Sequence, residues 1–246
     1  IWDHGETVEL TPPHDILGKR IGEYLPEETK LREMMEKSFD ILDRHPINEK
    51  RREMGLNPAN SIWFWGAGTR PALDDFEEKT GKKGAMVSAV DLLKGIAVGT
   101  HMLNLDVEGA TGGLDTNYKG KAMAAVDSLT KDGADVVYIH VEAPDEMGHQ
   151  GSVENKVKAI EFLDDQVIRV VAEELKKRGE DFRMLIGPDH PTPISIRTHS
   201  KDPIPFMIYD STKEMKGQKE YSEEAAKSTG LVLEHGHDLM GRLLQK

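Results

Sequence analysis

Apolar residues recur at helical spacing through 27–43, where Leu31, Met34, Met35, Phe39, Ile41 and Leu42 follow a 3.6-residue repeat. The pattern predicts a helix there, broken by Pro46, and a second short helix over 48–54 closed by Gly55 and Pro58. Ahead of them, Thr11-Pro12-Pro13-His14-Asp15 reads as a turn. From residue 61 the rhythm changes. Ser61-Ile62-Trp63-Phe64-Trp65 is an almost unbroken apolar run ended by Gly66-Ala67-Gly68, which predicts a buried strand leading into a loop, with Trp63 and Trp65 in the core. Strands are expected at 87–89, 102–107, 134–141, 183–187 and 204–209. The run at 134–141 is the firmest of them, because Val136, Val137, Ile139 and Val141 are β-branched. Helices are expected at 91–98, 119–131, 155–178, 222–230 and 235–244, with 109–113 as a loop. Strands alternating with helices predict an α/β fold with a mostly parallel sheet and helices on both faces. The change of rhythm near residue 60 sets the expected boundary: 1–60 as one unit and 61–246 as the other.

Composition narrows the function classes. The chain has 246 residues, 37% apolar and 31% charged, as an ordinary globular protein does. No apolar run approaches the roughly 18 residues of a membrane span, and no signal-peptide pattern is present, so no membrane partner is expected. There are 0 cysteines, which excludes disulfides and thiolate metal sites and fits a cytoplasmic protein. The net charge of −12 argues against nucleic acid as a partner, since that needs a basic footprint. A small anionic substrate stays compatible, because a few cations focused in a cleft suffice to bind it. The chain opens at Ile1 without a Met and reads like the middle of a longer protein.

Candidate chemistry follows from position. Ligands of open α/β sheets sit beyond the carboxyl ends of the strands. The strand at 134–141 runs into Glu142-Ala143-Pro144-Asp145-Glu146-Met147-Gly148-His149, and that at 183–187 into Pro188-Asp189-His190; His199 precedes the strand at 204–209. Asp145 and His149 are four apart, so a helix there would bring them to one face. Imidazole nitrogen with carboxylate oxygen suits zinc, manganese or similar divalent ions. Asp189 and His190 converge on an ion only from a loop. Three such elements at successive strand ends predict a metal site.

These segments, Asp145-Glu146-Met147-Gly148-His149-Gln150-Gly151, Gly187-Pro188-Asp189-His190-Pro191-Thr192-Pro193 and His199-Ser200-Lys201-Asp202-Pro203-Ile204-Pro205, closely resemble the metal motifs of cofactor-independent (2,3-bisphosphoglycerate-independent) phosphoglycerate mutases. The archaeal type matches best. Thr11-Pro12-Pro13-His14-Asp15, Asn60-Ser61-Ile62-Trp63-Phe64-Trp65-Gly66, Ser88-Ala89-Val90-Asp91-Leu92-Leu93-Lys94-Gly95 and Gly109-Ala110-Thr111-Gly112 resemble that branch too, so the likeness spans the chain. It implies an alkaline-phosphatase-like domain at 61–246 and, at 1–60, the end of an inserted phosphotransferase lid. It also implies two divalent ions flanking a nucleophilic serine, commonly manganese, with magnesium, cobalt or zinc as alternatives. Carried over, Asp145, His149 and His199 resemble the ligands of one ion, and Asp189 and His190 those of the second. The implied reaction interconverts 3- and 2-phosphoglycerate through a phosphoserine.

The family's serine and a further metal-binding aspartate belong to a segment preceding the lid, which this chain is expected to lack and to need as a partner. Ser61, Ser88, Ser152 and Ser200 sit in other contexts. His14 and Asp15 match a lid motif that contacts substrate, although a turn with Asp15 as helix cap explains them equally. Arg70 offers a bidentate fork for phosphate or carboxylate. Lys94 is the candidate for stabilising the transferred phosphoryl charge, against the plain reading of a solvated lysine. His101, His140, His235 and His237 read as structural. Other readings are a phosphatase, a phosphopentomutase-like enzyme or a homoserine-kinase-like relative on the same scaffold, or a metal-binding fragment without catalysis. The kinase reading lacks a glycine-rich phosphate loop with its lysine.

Overall fold

A computed structural model of the chain describes residues 8–69, 71–213 and 217–245. The chain divides into two compact units, Ile1–Ala72 and Leu73–Lys246, a boundary beyond the expected change near residue 60. In the first unit, 3-10 turns at Pro13–Ile16 and Ile21–Tyr24 precede α1 (Thr29–Leu42) and α2 (Pro46–Glu53). The Glu28 carboxylate caps α1 by accepting from the Lys30 and Leu31 N–H groups. Pro46, expected only to break a helix, is the first residue of α2, where its fixed φ is favourable and its missing N–H would have had no partner.

The run 61–65 is not a strand. Its polar groups are satisfied by α1 and the first turn instead: Ile62 N–H donates to Ser38 Oγ at 2.9 Å, and Trp63 Nε1–H to the Thr11 carbonyl at 2.8 Å. The apolar run therefore closes the first unit rather than opening the sheet, and Trp65, expected in the core, is 53% exposed.

The second unit contains α3 (Phe76–Thr80), β1 (Gly84–Val87), α4 (Asp91–Gly99), β2 (Leu103–Leu105), α5 (Tyr118–Thr130), β3 (Val136–Ile139), α6 (Ala143–His149), α7 (Val153–Leu163), α8 (Arg169–Lys177), β4 (Arg183–Ile186), β5 (Met207–Asp210), α9 (Glu223–Ser228) and α10 (Asp238–Leu244). β1, buried along its length, pairs parallel with β2 on one side and β3 on the other. The connection β1–α4–β2 steps one way across the sheet and β2–α5–β3 steps back. Right-handed crossovers in opposite directions put α4 and α5 on opposite faces. The switch in direction opens a crevice at the carboxyl ends of β1 and β3, the usual ligand position of such sheets. β4 and β5 form a separate antiparallel pair. The core lies where Tyr118, Ala122 and Val126 of α5 meet Met147 of α6, Ala159 of α7, and Val171 and Leu175 of α8. No helix among the described residues is long and apolar enough to cross a membrane.

Candidate metal centre

The chain leaves β3 at Ile139 and turns within three residues into α6, with Pro144 in its first turn. Asp145 occupies that same turn, where the helix dipole favours a carboxylate. His149 follows one turn later on the same face. The loop after β4 returns His199 to them, and potential ligand atoms of Asp145, His149 and His199 all lie within 4.8 Å of one another. His149 Nε2 is 3.2 Å from Asp145 Oδ2, His199 Nε2 is 3.3 Å from Asp145 Oδ1, and the two imidazole Nε2 atoms are 3.2 Å apart. Ligands sharing one ion through bonds of about 2.0–2.2 Å lie roughly 3.0–3.5 Å from each other. The three side chains therefore have the spacing and the donor chemistry for a divalent cation.

The surroundings orient these donors. His149 Nδ1 is 2.9 Å from the Arg197 carbonyl, to which it can only donate, so a neutral His149 turns its Nε2 lone pair toward Asp145 and His199. Arg197 reaches this position with φ +55°, in the left-handed region. Thr192, itself buried, donates its hydroxyl hydrogen to Asp145 Oδ1. The Thr192 carbonyl accepts from Lys156 Nζ of α7 at 2.6 Å. Gly148 permits this seating of the loop on α6: a Cβ there would lie 2.6 Å from the Thr192 carbonyl oxygen.

The second expected pair stands beside the first. Asp189 Oδ2 is 3.5 Å from His190 Nε2, and the His190 ring lies 3.7 Å from that of His199, tilted by 35°. Among the described residues, the only group of three potential ligands within such reach is Asp145, His149 and His199, so Asp189 and His190 stay a pair. The electrostatics favour a cation. Burial raises the pKa of Glu142, its neighbours Glu146 and Asp145 raise it further and Lys121 pulls it partly back, which marks crowded negative charge beside the cluster.

Lys94 Nζ on α4 pairs with Asp106 Oδ1 at 3.0 Å. His14 and Asp15 belong to the first unit, in the turn Pro13–Ile16, where the His14 ring meets Trp65 edge-on at 5.4 Å. Arg70 falls outside the described residues.

A model of the metalloenzyme superfamily matches residues 27–244. The chain belongs to the metalloenzyme superfamily. Asp145, His149, Asp189, His190 and His199 all fall within the stretch matched to it. A model of 2,3-bisphosphoglycerate-independent phosphoglycerate mutase matches residues 1–48. The chain is 48% identical to the 2,3-bisphosphoglycerate-independent phosphoglycerate mutase of Methanosarcina barkeri over 98% of its own length and 61% of the relative's. It is 45% identical to a probable enzyme of that name from Geobacter sulfurreducens, over 100% of its own length and 62% of the relative's. Of solved structures, a protein from Pyrococcus horikoshii matches with a TM-score of 0.64 and 33% identity, covering 81% of this chain and 51% of that one. A cofactor-independent phosphoglycerate mutase from Thermoplasma acidophilum matches with a TM-score of 0.51 and 25% identity, covering 88% and 51%. This metalloenzyme chain thus spans about three fifths of the length of the curated relatives it matches.

Several residues that shape this candidate site carried no nomination from sequence. Lys121 of α5 is fully buried, and its Nζ donates to the His140 carbonyl at 3.2 Å and the Thr111 carbonyl at 3.5 Å, tying the end of β3 to the loop after β2. Burial lowers its pKa, and Glu142 partly offsets that. His140, read as structural, sits at the mouth of the crevice: Ser88 Oγ is 3.3 Å from its Nδ1, burial lowers its pKa, and Asp189 and Asp145 pull it back up. The strand-end rule that found Asp145 would have reached His140 and Glu142 as well. Nothing local marked Lys121 or Thr192.

Proposed function

We propose that this chain carries the metal-binding part of a cofactor-independent phosphoglycerate mutase, interconverting 3- and 2-phosphoglycerate through a phosphoserine, a step shared by glycolysis and gluconeogenesis in the cytoplasm. The carrying observation is the Asp145–His149–His199 triad, with donor separations of 3.2, 3.3 and 3.2 Å and the His149 lone pair turned inward. The similarity to the mutases over 98% of the chain supports the same reading.

A bound divalent ion, manganese in this proposal, supplies positive charge that polarises a phosphoryl oxygen and lowers the pKa of a hydroxyl nucleophile. The chain's own residues hold and orient. Asp145, His149 and His199 provide the first ion site; Asp189 and His190 provide part of a second. Thr192 and the Arg197 carbonyl fix the directions of Asp145 and His149. Lys94 is assigned to the transferred phosphoryl charge, and His14, Asp15 and Arg70 to substrate contact. The first unit is the end of an inserted lid, and the nucleophilic serine comes from sequence outside this chain.

The test uses a full-length polypeptide that contains this chain. With manganese it is expected to convert 3-phosphoglycerate to 2-phosphoglycerate in a coupled assay, and Asp145→Asn should lower that rate by at least about a hundredfold. Hydrolysis of phosphomonoesters without interconversion would move the reading to a phosphatase.

A further inference from the structure

We propose that Thr192 is a positioning residue that couples the two ion sites, by setting the direction of the Asp145 carboxylate and the tautomer of His190 together. The inference rests on the reading of Asp145 and His190 as ligands of two neighbouring ions. Thr192 Oγ bridges them: it contacts Asp145 Oδ1 on one side, and His190 Nδ1 lies 3.4 Å away on the other.

A hydroxyl has one hydrogen to give and lone pairs to accept. An ionised carboxylate only accepts, so the Thr192 hydrogen goes to Asp145. Toward His190 the oxygen can then only accept, so this contact forms as a hydrogen bond when Nδ1 carries the proton. The chain of donors runs in one direction, from His190 Nδ1–H to Thr192 Oγ–H to Asp145 Oδ1. A neutral His190 in that tautomer presents its lone pair at Nε2. That nitrogen is 3.5 Å from Asp189 Oδ2, a lone pair facing a carboxylate, which is the arrangement two ligands adopt toward a shared cation.

The bridge is held at its centre. Thr192 is 5% exposed, its carbonyl is held by Lys156 Nζ at 2.6 Å, and Gly148 leaves no slack behind it. A hydroxyl so held cannot turn to serve one site without the other, so cation binding at Asp145 favours the ligand tautomer of His190, and the converse follows by linkage.

The experiment compares the chain with Thr192→Val, which keeps the shape and removes the hydroxyl, and Thr192→Ser, which restores it. Folding of each variant is checked by circular dichroism. Manganese affinity is measured by calorimetry, and the His190 tautomer by nitrogen-15 NMR of the metal-free chain. T192V is expected to weaken manganese binding about tenfold and to move His190 away from the Nδ1–H form, with T192S within about twofold of the parent. His190→Ala should weaken binding at the Asp145 site in the parent but not in T192V, a non-additive cycle. Unchanged tautomer and affinity in T192V, or an additive cycle, overturns the role of Thr192 while manganese binding is still abolished by Asp145→Asn. Manganese binding that survives D145N instead overturns the metal centre, and the coupling with it.

Discussion

A methyl group at position 148 would collide with the Thr192 carbonyl oxygen at 2.6 Å, and neither partner has room to yield, since Gly148 is inside α6 and Thr192 is buried. Gly148→Ala should therefore push the loop carrying Thr192 and His199 off α6. The expected cost is about 1–3 kcal/mol in urea unfolding, as for other overpacked sites, with weakened manganese binding in calorimetry. A variant as stable as the parent and binding as tightly would show that the loop does not seat there. Lys121 tests a different residue-scale claim. Lys121→Met keeps the buried stem but strips a donor from the His140 and Thr111 carbonyls. Leaving those groups unsatisfied should cost about 1–3 kcal/mol, measured in the same way. At this scale the candidate ligands are legible in sequence and the residues that hold them are not. Asp145 and His149 stand out because metal-binding residue types follow a strand end, and His199 because it lies just ahead of the next strand. Thr192 and Lys121 act through segments that only the fold brings near, and in sequence each is an ordinary polar residue between apolar ones.

Periodicity predicted one helix over 155–178, and the structure has two helices joined by a π turn at Asp164–Ile168. A π turn holds one residue more than its α counterpart, which rotates everything after it by about a quarter turn. The residues that face the core lie on both sides of it: Ala159 before the turn is buried along with those that follow. Val157 and Ile160 before it are 51% and 50% exposed, while Val167, Val171 and Leu175 after it are buried. The β4–β5 pair shows a second limit. Alternation suggested another parallel strand, yet 187–206 contains no helix to make the crossover that parallel pairing requires, and the strands pair antiparallel. Asp210 anchors that pair. Its carboxyl is held well below the usual range, first by the Thr212 hydroxyl and N–H and then by Arg183, its partner across the ladder, and Lys213. The unfolded value is near 3.8, so the stabilisation is complete above that pH and is lost as pH falls toward the depressed folded value. Asp210→Asn should lower stability at neutral pH and flatten the acid limb of a urea-unfolding series below pH 3.8. An acid limb of unchanged slope would remove Asp210 as its source.

The ligand candidates all lie between residues 145 and 199, so an ion should act on the second unit alone. Manganese at about a hundred times its Kd should stabilise by about 2.7 kcal/mol. Amide exchange should slow in α6 and in the loop from 187 to 206, and stay unchanged in α1 and α2; slowing in α1 would place the ion elsewhere. Turnover is a separate matter. A phosphoserine route needs an acceptor hydroxyl beside the ions, and the serines that sequence left without a nucleophile role have other work in the fold. Ser88 Oγ contacts His140 and accepts from Val90 N–H, Ser152 caps α7, Ser200 donates to Asp202, and Ser61 contacts Ser38. The Asp189–His190 pair has no third ligand among the described residues. Acceptor and metals act as a unit in such chemistry, so partial sites retain little of the rate. This chain, supplied with manganese and 3-phosphoglycerate, is expected to bind the ion and form no 2-phosphoglycerate in a coupled assay. Adding the part of a curated relative's length that this chain does not match should restore turnover if the two portions assemble the site between them. Turnover by the chain alone would place the acceptor among these serines, with Ser88 first to be replaced by alanine because it stands at the mouth of the crevice.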